Sequence, residues 1–275
     1  AASDVYKRQG ALLLMLPISY VGGRDHTFMD ALFTATSAAS VTGLTVVDTA
    51  THWTTFGQTI IMILIEIGAL GFMSFSVLLF TATRRQMDLR SKMMVQEVYN
   101  LQSLYDTRAV FGYVIKLSIA IQFIGTILLA PFFIHDFGWG RGAFYAIFHA
   151  ISAFGNSGFS ILPKNTAEYV NQPFVLAIIA ALVIAGSLGF LVWRDVLLYQ
   201  KTHRLTLHSK LALVMTGALI IGGWLLFELT ERNLAFASGL SPVMRVFDTL
   251  FMSISYRTAG FTQFDVGGLG SATIL

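Results

Sequence analysis

The chain has 275 residues, of which 55% are hydrophobic and 12% are charged, with a formal net charge of +3 and no cysteine. Soluble domains carry about 25% charged residues, so this composition, with a mean hydropathy of +0.68, indicates a membrane protein. The lack of cysteine excludes a disulfide framework and a thiolate metal site.

A first repeating unit is predicted over residues 1–83, with its first helix truncated at the start. Residues 10–20 have the composition of the outer end of that helix. The apolar segment 28–39 forms about three turns, or about 18 Å, and is too short to cross a bilayer core of about 30 Å. It is therefore predicted to enter the membrane and return as a re-entrant helix. Residues 56–83 are about 42 Å long as a helix and can span with tilt.

A second unit, residues 109–198, and a third, residues 211–275 with its last helix missing, repeat this order. Their spanning and re-entrant helices are predicted at 109–134, 142–154, 174–193, 211–227 and 243–254. The connectors 84–108 and 199–210 are rich in Lys and Arg, which places them in the cytoplasm and the re-entrant loops toward the outside. The predicted fold is therefore an all-α polytopic membrane protein of parallel, pseudo-symmetric repeats.

A glycine follows each re-entrant helix in a motif of small polar residues. The three copies are Ser40-Val41-Thr42-Gly43-Leu44, Gly155-Asn156-Ser157-Gly158-Phe159 and Arg257-Thr258-Ala259-Gly260-Phe261. Glycine permits a positive φ and close approach, so carbonyl oxygens of several loops can converge on one ion. The C-terminus of each preceding helix is partially negative, which favours a cation. The alternative is that these glycines only form tight turns or allow helices to pack closely.

Together, these motifs resemble the first three filter loops of the Trk/Ktr/HKT potassium transporters, most closely the Ktr-type membrane subunit, over essentially the whole chain. The resemblance implies repeats of helix, re-entrant pore helix, filter loop and helix around one potassium pathway, as in potassium channels. It also implies four units, so we expect the chain to be a fragment that lacks the fourth. Similar sodium-preferring members have serine at the first filter glycine, so Gly43 indicates potassium.

The resemblance assigns Gly43, Gly158 and Gly260 as filter glycines. Carbonyl groups of the two residues before each glycine are expected near the ion, namely Val41, Thr42, Asn156, Ser157, Thr258 and Ala259. The implied function is potassium uptake across the cell (inner) membrane, with sodium or proton assistance left open. No cofactor is implied in this chain. The implied partners are a second copy, a cytosolic nucleotide-binding ring of RCK type and the lipid bilayer; nucleic acid is not expected, because the basic residues lie beside hydrophobic spans.

Several acidic residues follow the repeat. Asp48 and Asp265 each lie five residues beyond a filter glycine. They either concentrate cations at the pore mouth or are ordinary solvated carboxylates. Asp30 and Asp248 are predicted in the first turns of re-entrant helices, where a carboxylate suits the positive end of the helix.

Glu66 lies deep in a predicted span, and an intramembrane carboxylate is a functional hypothesis by default. Paired with His149 as acid and base, it defines the alternative function, an intramembrane enzyme. His149 is otherwise interpreted as a packing residue. The chain has no GxSxG, HExxH or P-loop motif, so the prediction is that it is not an enzyme.

Two further features accompany the filter motifs. The segments Gly68-Ala69-Leu70-Gly71-Phe72 and Gly186-Ser187-Leu188-Gly189-Phe190 form a second repeat. It is interpreted as a site of close helix packing rather than a hinge. Arg257, in the third filter motif, is expected to point away from the pore and to pair with a carboxylate behind the loop.

Overall fold

The computed structural model describes residues 2–22, 26–71, 107–170, 172–230 and 242–262. Within these ranges the chain forms ten α-helices, a short extended segment and one 3-10 turn. The helices are α1 (Ala2–Leu14), α2 (Phe28–Ala39), α3 (Thr49–His52), α4 (Thr55–Ala69), α5 (Thr107–Phe137), α6 (Trp139–Phe154), α7 (Pro173–Ser187), α8 (Phe190–Thr202), α9 (Leu207–Thr230) and α10 (Pro242–Thr258). The extended segment β1 is Pro163–Thr166, and the 3-10 turn is Ala167–Tyr169. The prediction of a helical fold is confirmed.

The first re-entrant helix, α2, has the predicted bounds because local signals fix its start. Thr27 precedes it with extended backbone, and the Thr27 hydroxyl oxygen accepts a hydrogen bond from the Asp30 backbone N–H at 3.2 Å. The Thr27 backbone N–H in turn donates to Asp30 Oδ2 at 3.0 Å. This reciprocal pair is a capping box, which satisfies N–H groups that the first helical turn leaves free. Asp30 therefore has the predicted capping role.

The second and third re-entrant helices begin earlier than predicted. α6 starts at Trp139, after the single residue Gly138, which has a φ of +79° and separates it from α5. α10 starts at Pro242. Proline is tolerated at the first helical position because the N–H group that it lacks would have no acceptor within the helix. Asp248, expected in the first turn of its helix, is the seventh residue of α10, lies in the second turn and is only 1% exposed.

Two described helices, over Gly112–Phe137 and Leu207–Leu229, are long and apolar enough to cross a membrane. A third span results if α7 and α8 are counted as one broken helix. The first helix ends at Leu14 and does not continue to residue 20, because the chain turns back and the Ser19 hydroxyl donates to the Leu13 carbonyl at 2.6 Å. The prediction of one continuous helix over residues 56–83 is wrong, because α4 ends at Ala69, Leu70 caps it and Gly71 has a φ of +77°. Residues 72–106 of the predicted span and connector lie outside the described residues.

The prediction of an uninterrupted span over residues 174–193 is wrong. α7 ends at Ser187, α8 begins at Phe190, and the two helices are bent by 99°. Gly189 has a φ of +79°, which glycine adopts without steric penalty. The Trp193 indole N–H donates to the Ala185 carbonyl at 2.8 Å and satisfies an acceptor freed by the break. The segment 186–190 therefore contains a bend in addition to the predicted packing contact.

The hydrophobic core consists of two clusters that join successive parts of the chain. One cluster is built on α1, α2 and α4 but includes Phe148, Phe159 and Ile161 from the second predicted unit. The other combines residues of α5, α6 and α7 with Phe251 and Met252 of α10. The helices of successive predicted units therefore pack on one another. The boundaries drawn between those units stay a prediction.

Candidate functional site

The structure brings the three predicted filter glycines to one cavity. Gly43, Gly158 and Gly260 line a space of about 410 Å³. The other lining residues come from the segments that follow these glycines: Thr45, Asp48, Thr49, Ser160, Leu162, Pro163, Asn165 and Thr262. Residues far apart in the sequence therefore form the wall of a single cavity.

All three glycines adopt the left-handed conformation, with φ values of +74° at Gly43, +71° at Gly158 and +73° at Gly260. Side chains are strained there, so the backbone conformation itself strongly favours glycine. A Cβ atom on Gly43 would overlap the carbonyl oxygen of Ser157, and one on Gly158 would overlap that of Ala259. Each of these two glycines thus packs directly against a carbonyl group of the next loop. No described atom lies within 4 Å of the Cβ position of Gly260.

A serine in the last turns of the second and third re-entrant helices holds each loop. The Ser152 hydroxyl donates to the Phe159 carbonyl at 2.6 Å, and the Ser255 hydroxyl donates to the Phe261 carbonyl at 2.7 Å. In both cases the acceptor is the residue after the filter glycine. These equivalent bonds fix the path of the backbone across the glycine and show that the two loops are built alike.

The third loop is nevertheless one residue shorter. Ser152 precedes Gly158 by six positions, whereas Ser255 precedes Gly260 by five. The longer first and second loops take up the additional residue with left-handed Val41 and Asn156, each with a φ of +56°. In the third loop Thr258 is still the last residue of α10. Val41, Asn156 and Thr258 each lie two residues before a filter glycine. Thr258 therefore differs from its two counterparts in backbone conformation.

Behind the second loop, the Asn156 side chain points toward neighbouring chain segments. In the amide orientation that satisfies both ends, Nδ2 donates to Thr258 Oγ1 at 3.0 Å and to the Val183 carbonyl at 3.1 Å. Oδ1 then accepts from the Ser187 backbone N–H at 3.2 Å. The second loop is thus bonded both to the third loop and to the end of α7.

Among the described residues, Arg257 bonds to a hydroxyl and not to the carboxylate expected from the sequence. Its Nη2 donates to the Ser187 hydroxyl at 2.7 Å. Its Nη1 is buried and has no hydrogen-bond partner among the described residues. The guanidinium group therefore contacts the bend between α7 and α8.

Glu66 and His149 are held by separate partners. Gln122 Nε2 of α5 donates to Glu66 Oε2 at 2.8 Å. His149 Nδ1 lies 2.8 Å from the Tyr145 carbonyl, which can only accept, and Nε2 of the neutral ring accepts from the Ser160 hydroxyl at 3.0 Å. His149 is fully buried in this arrangement. It therefore supports the second filter loop, as a packing residue would, and no acid–base pair with Glu66 is formed.

Asp48, one of the two acidic residues predicted at the pore mouth, also bonds to protein groups. Asp48 lines the cavity and caps α3, accepting from the Ala50 backbone N–H at 3.1 Å and from the Thr51 hydroxyl at 2.7 Å. Asp265 lies outside the described residues. Near the start of α2, the hydrogen bond from the Thr27 side chain, followed by that from its backbone, lowers the pKa of Asp30.

A second connection at this mouth was not predictable from the sequence. Asn165 Nδ2 donates to the Thr262 hydroxyl at 3.2 Å, and the Thr166 hydroxyl donates to the Thr262 carbonyl at 2.9 Å. Asn165 adopts a φ of +54°, one that asparagine tolerates better than most residues. Segment β1 is thereby fixed to the chain just after the third filter glycine. Asn165 and Thr166 belong to no repeated motif, so the contact is evident only from their proximity to Thr262 in the structure.

These features define a class of protein: a helical membrane protein in which re-entrant helices bring glycine loops to one cavity, as in ion-conducting proteins. A family model described as TrkH, cation transport protein, matches residues 5–275. The chain belongs to this family.

Curated relatives support the assignment. The potassium/sodium uptake protein NtpJ of Enterococcus hirae is 43% identical over 93% of this chain and 57% of its own length. Ktr system potassium uptake protein B of Bacillus subtilis is 40% identical over 97% of this chain and 60% of its own length. The chain thus spans about three fifths of these relatives.

A solved structure has the same fold. The crystal structure of the potassium transporter TrkH from Vibrio parahaemolyticus matches with a TM-score of 0.63 at 18% identity, covering 95% of this chain and 50% of that one. The family and these relatives are transport proteins, and the alternative of an intramembrane enzyme is not supported.

Proposed function

We propose that the complete protein takes up potassium across the cell membrane through a central pore. The observation that carries this proposal is the convergence of Gly43, Gly158 and Gly260 on one cavity. Each of the three loops follows the C-terminus of a re-entrant helix, and these partially negative ends favour a cation at the centre. The relatives whose names include potassium uptake point to the same ion.

In this proposal the ion exchanges its water shell for main-chain oxygens of the three loops and of a fourth, equivalent loop. The contributing residues are Val41, Thr42, Gly43, Asn156, Ser157, Gly158, Thr258, Ala259 and Gly260. Support comes from the close contact of successive loops, since the carbonyl groups of Ser157 and Ala259 pack against the preceding filter glycines. Asp48, which lines the same cavity, adds negative charge at its mouth.

The filter loops face the outside and the basic connectors face the cytoplasm in the proposed orientation, which rests on the positive-inside rule. A membrane potential then draws the cation inward with about 2.3 kcal/mol per charge per 100 mV. Sodium or protons remain candidates for coupling, and sodium occurs in the name of one relative. A homodimer and a cytosolic nucleotide-binding ring are proposed on family resemblance.

The test is the substitution Gly43→Ser in the complete protein, reconstituted into vesicles, with potassium uptake measured in competition with sodium. The serine Cβ would displace the Ser157 carbonyl group, so we expect a weaker preference for potassium. Gly22→Ser is a suitable control, because no described atom lies within 4 Å of its Cβ position and its φ is ordinary. Unchanged selectivity in the Gly43 variant would refute the proposed filter.

A further inference from the structure

The bend between α7 and α8 lies directly behind the filter loops. Gly186, one residue before the end of α7, packs so closely on the last residue of α6 that a Cβ atom would overlap the Phe154 carbonyl oxygen. The following residue, Ser187, is the last of α7. The 99° change of direction therefore takes place beside the point where the second re-entrant helix leads into its loop.

Ser187 is bonded to two filter loops at once. Its backbone N–H donates to Asn156 Oδ1 of the second loop at 3.2 Å, and its hydroxyl accepts from Arg257 Nη2 of the third at 2.7 Å. The Ser187 hydroxyl also donates to the Ile184 carbonyl at 3.0 Å, which orients its lone pairs toward the guanidinium. Asn156 is itself bonded to Thr258, next to Arg257. The bend and both loops thus form one connected hydrogen-bond network.

At the equivalent place in the first repeat, the described residues pack through apolar contacts and form no such network. Gly68 there packs on the Ala39 carbonyl, as Gly186 packs on that of Phe154. The next residue is Ala69, and the Cβ position of Gly155 lies 3.1 Å from the Ala69 Cβ. These two contacts are equivalent by position. Ala69 and Ser187 each follow the packing glycine of their repeat, and their partners, Gly155 and Arg257, each lie three residues before a filter glycine. An apolar pair of small residues therefore suffices to pack this type of interface.

We propose that Arg257 is a positioning residue that fixes the third filter loop to the bend through Ser187, so that cation preference depends on this contact. The inference rests on the proposed transport function and adds a residue outside the ion-binding carbonyl groups. A charged side chain within a membrane protein is costly unless it faces the protein interior and has polar partners. Here Nη2 of Arg257 donates to the Ser187 hydroxyl at the bend. The third filter loop, which follows Arg257, is the shorter one and has no left-handed residue before Ala259.

The experiment compares Ser187→Ala with Ser187→Thr in the complete protein, reconstituted into vesicles. Removal of one hydrogen bond to a charged group commonly costs about tenfold in an equilibrium, so we expect Ser187→Ala to lower the potassium-to-sodium uptake ratio by about tenfold. Ser187→Thr keeps the hydroxyl and should keep the ratio. Ser118→Ala is the matched control and should leave the ratio unchanged, because this buried serine hydroxyl donates to the Val114 carbonyl at 3.0 Å within α5 and not to a filter loop.

A second measurement tests whether Arg257 and Ser187 act together. Arg257→Gln should lower the ratio as Ser187→Ala does, and the double variant should be no worse than either single one, because both remove the same contact. Additive losses, or a normal ratio in Ser187→Ala, would overturn the proposal. If Arg257→Gln does not fold, the alanine and threonine variants of Ser187 decide alone. Failure of the unsubstituted protein to take up potassium would instead reject the transport function.

Discussion

Substitution Gly158→Ala tests the contact between successive filter loops. Gly158 has a φ of +71°, and the left-handed conformation costs an alanine about 1–2 kcal/mol. Its Cβ would also overlap the Ala259 carbonyl oxygen, which would have to retreat by about 1 Å to reach an ordinary carbon–oxygen separation of about 3.3 Å. We therefore expect both a loss of stability and a displaced carbonyl group in the third loop.

Gly138→Ala separates these two effects. Gly138 has a φ of +79° but no described atom within 4 Å of its Cβ position, and it lies between α5 and α6 rather than in a filter loop. Both variants should lower the unfolding temperature of the purified complete protein. Only Gly158→Ala should also lower the potassium-to-sodium uptake ratio, by about tenfold, which corresponds to about 1.4 kcal/mol of lost discrimination. Equal ratios in the two variants would refute the argument that the loop–loop contact shapes the filter.

Two further predictions concern the supports of the site. Because hydrogen bonds from Thr27 lower the pKa of Asp30 from 3.8, the stabilisation by its carboxylate is present at neutral pH and lost as the pH falls through the lowered pKa. Asp30→Asn should therefore lower the melting temperature at pH 7 by an amount that disappears in acid, and a pH-independent difference would contradict this. Gln122→Leu removes the partner of Glu66 and should destabilise the protein by about 1–3 kcal/mol in thermal unfolding, whereas the double variant with Glu66→Leu should recover much of the loss. Equal melting of the Gln122 variant and the unsubstituted protein would show that the pair contributes nothing.

The features that the sequence determined by itself are those set by local chemistry. The length of an apolar segment decides whether it can cross a bilayer, and residues 28–39 are too few. The start of α2 follows from Thr27 and Asp30, three residues apart. The repeated glycines identify the loops, because a left-handed backbone strongly favours glycine wherever it occurs. These signals were sufficient for the fold class and for the glycines that line the cavity.

Tertiary structure alone decided how the repeats differ. The apolar segment 174–193 has the composition of one span, and its break after Ser187 is stabilised by contacts with Phe154, Asn156 and Arg257. The shorter third loop became evident only from the Ser255 hydrogen bonds. The hydrogen bonds of Ser187 at the break join residues 31 and 70 positions apart, and no pattern of spacing along the chain encodes which of several polar partners a side chain will meet. Their energy arises only when the helices have packed, so they are properties of the folded assembly.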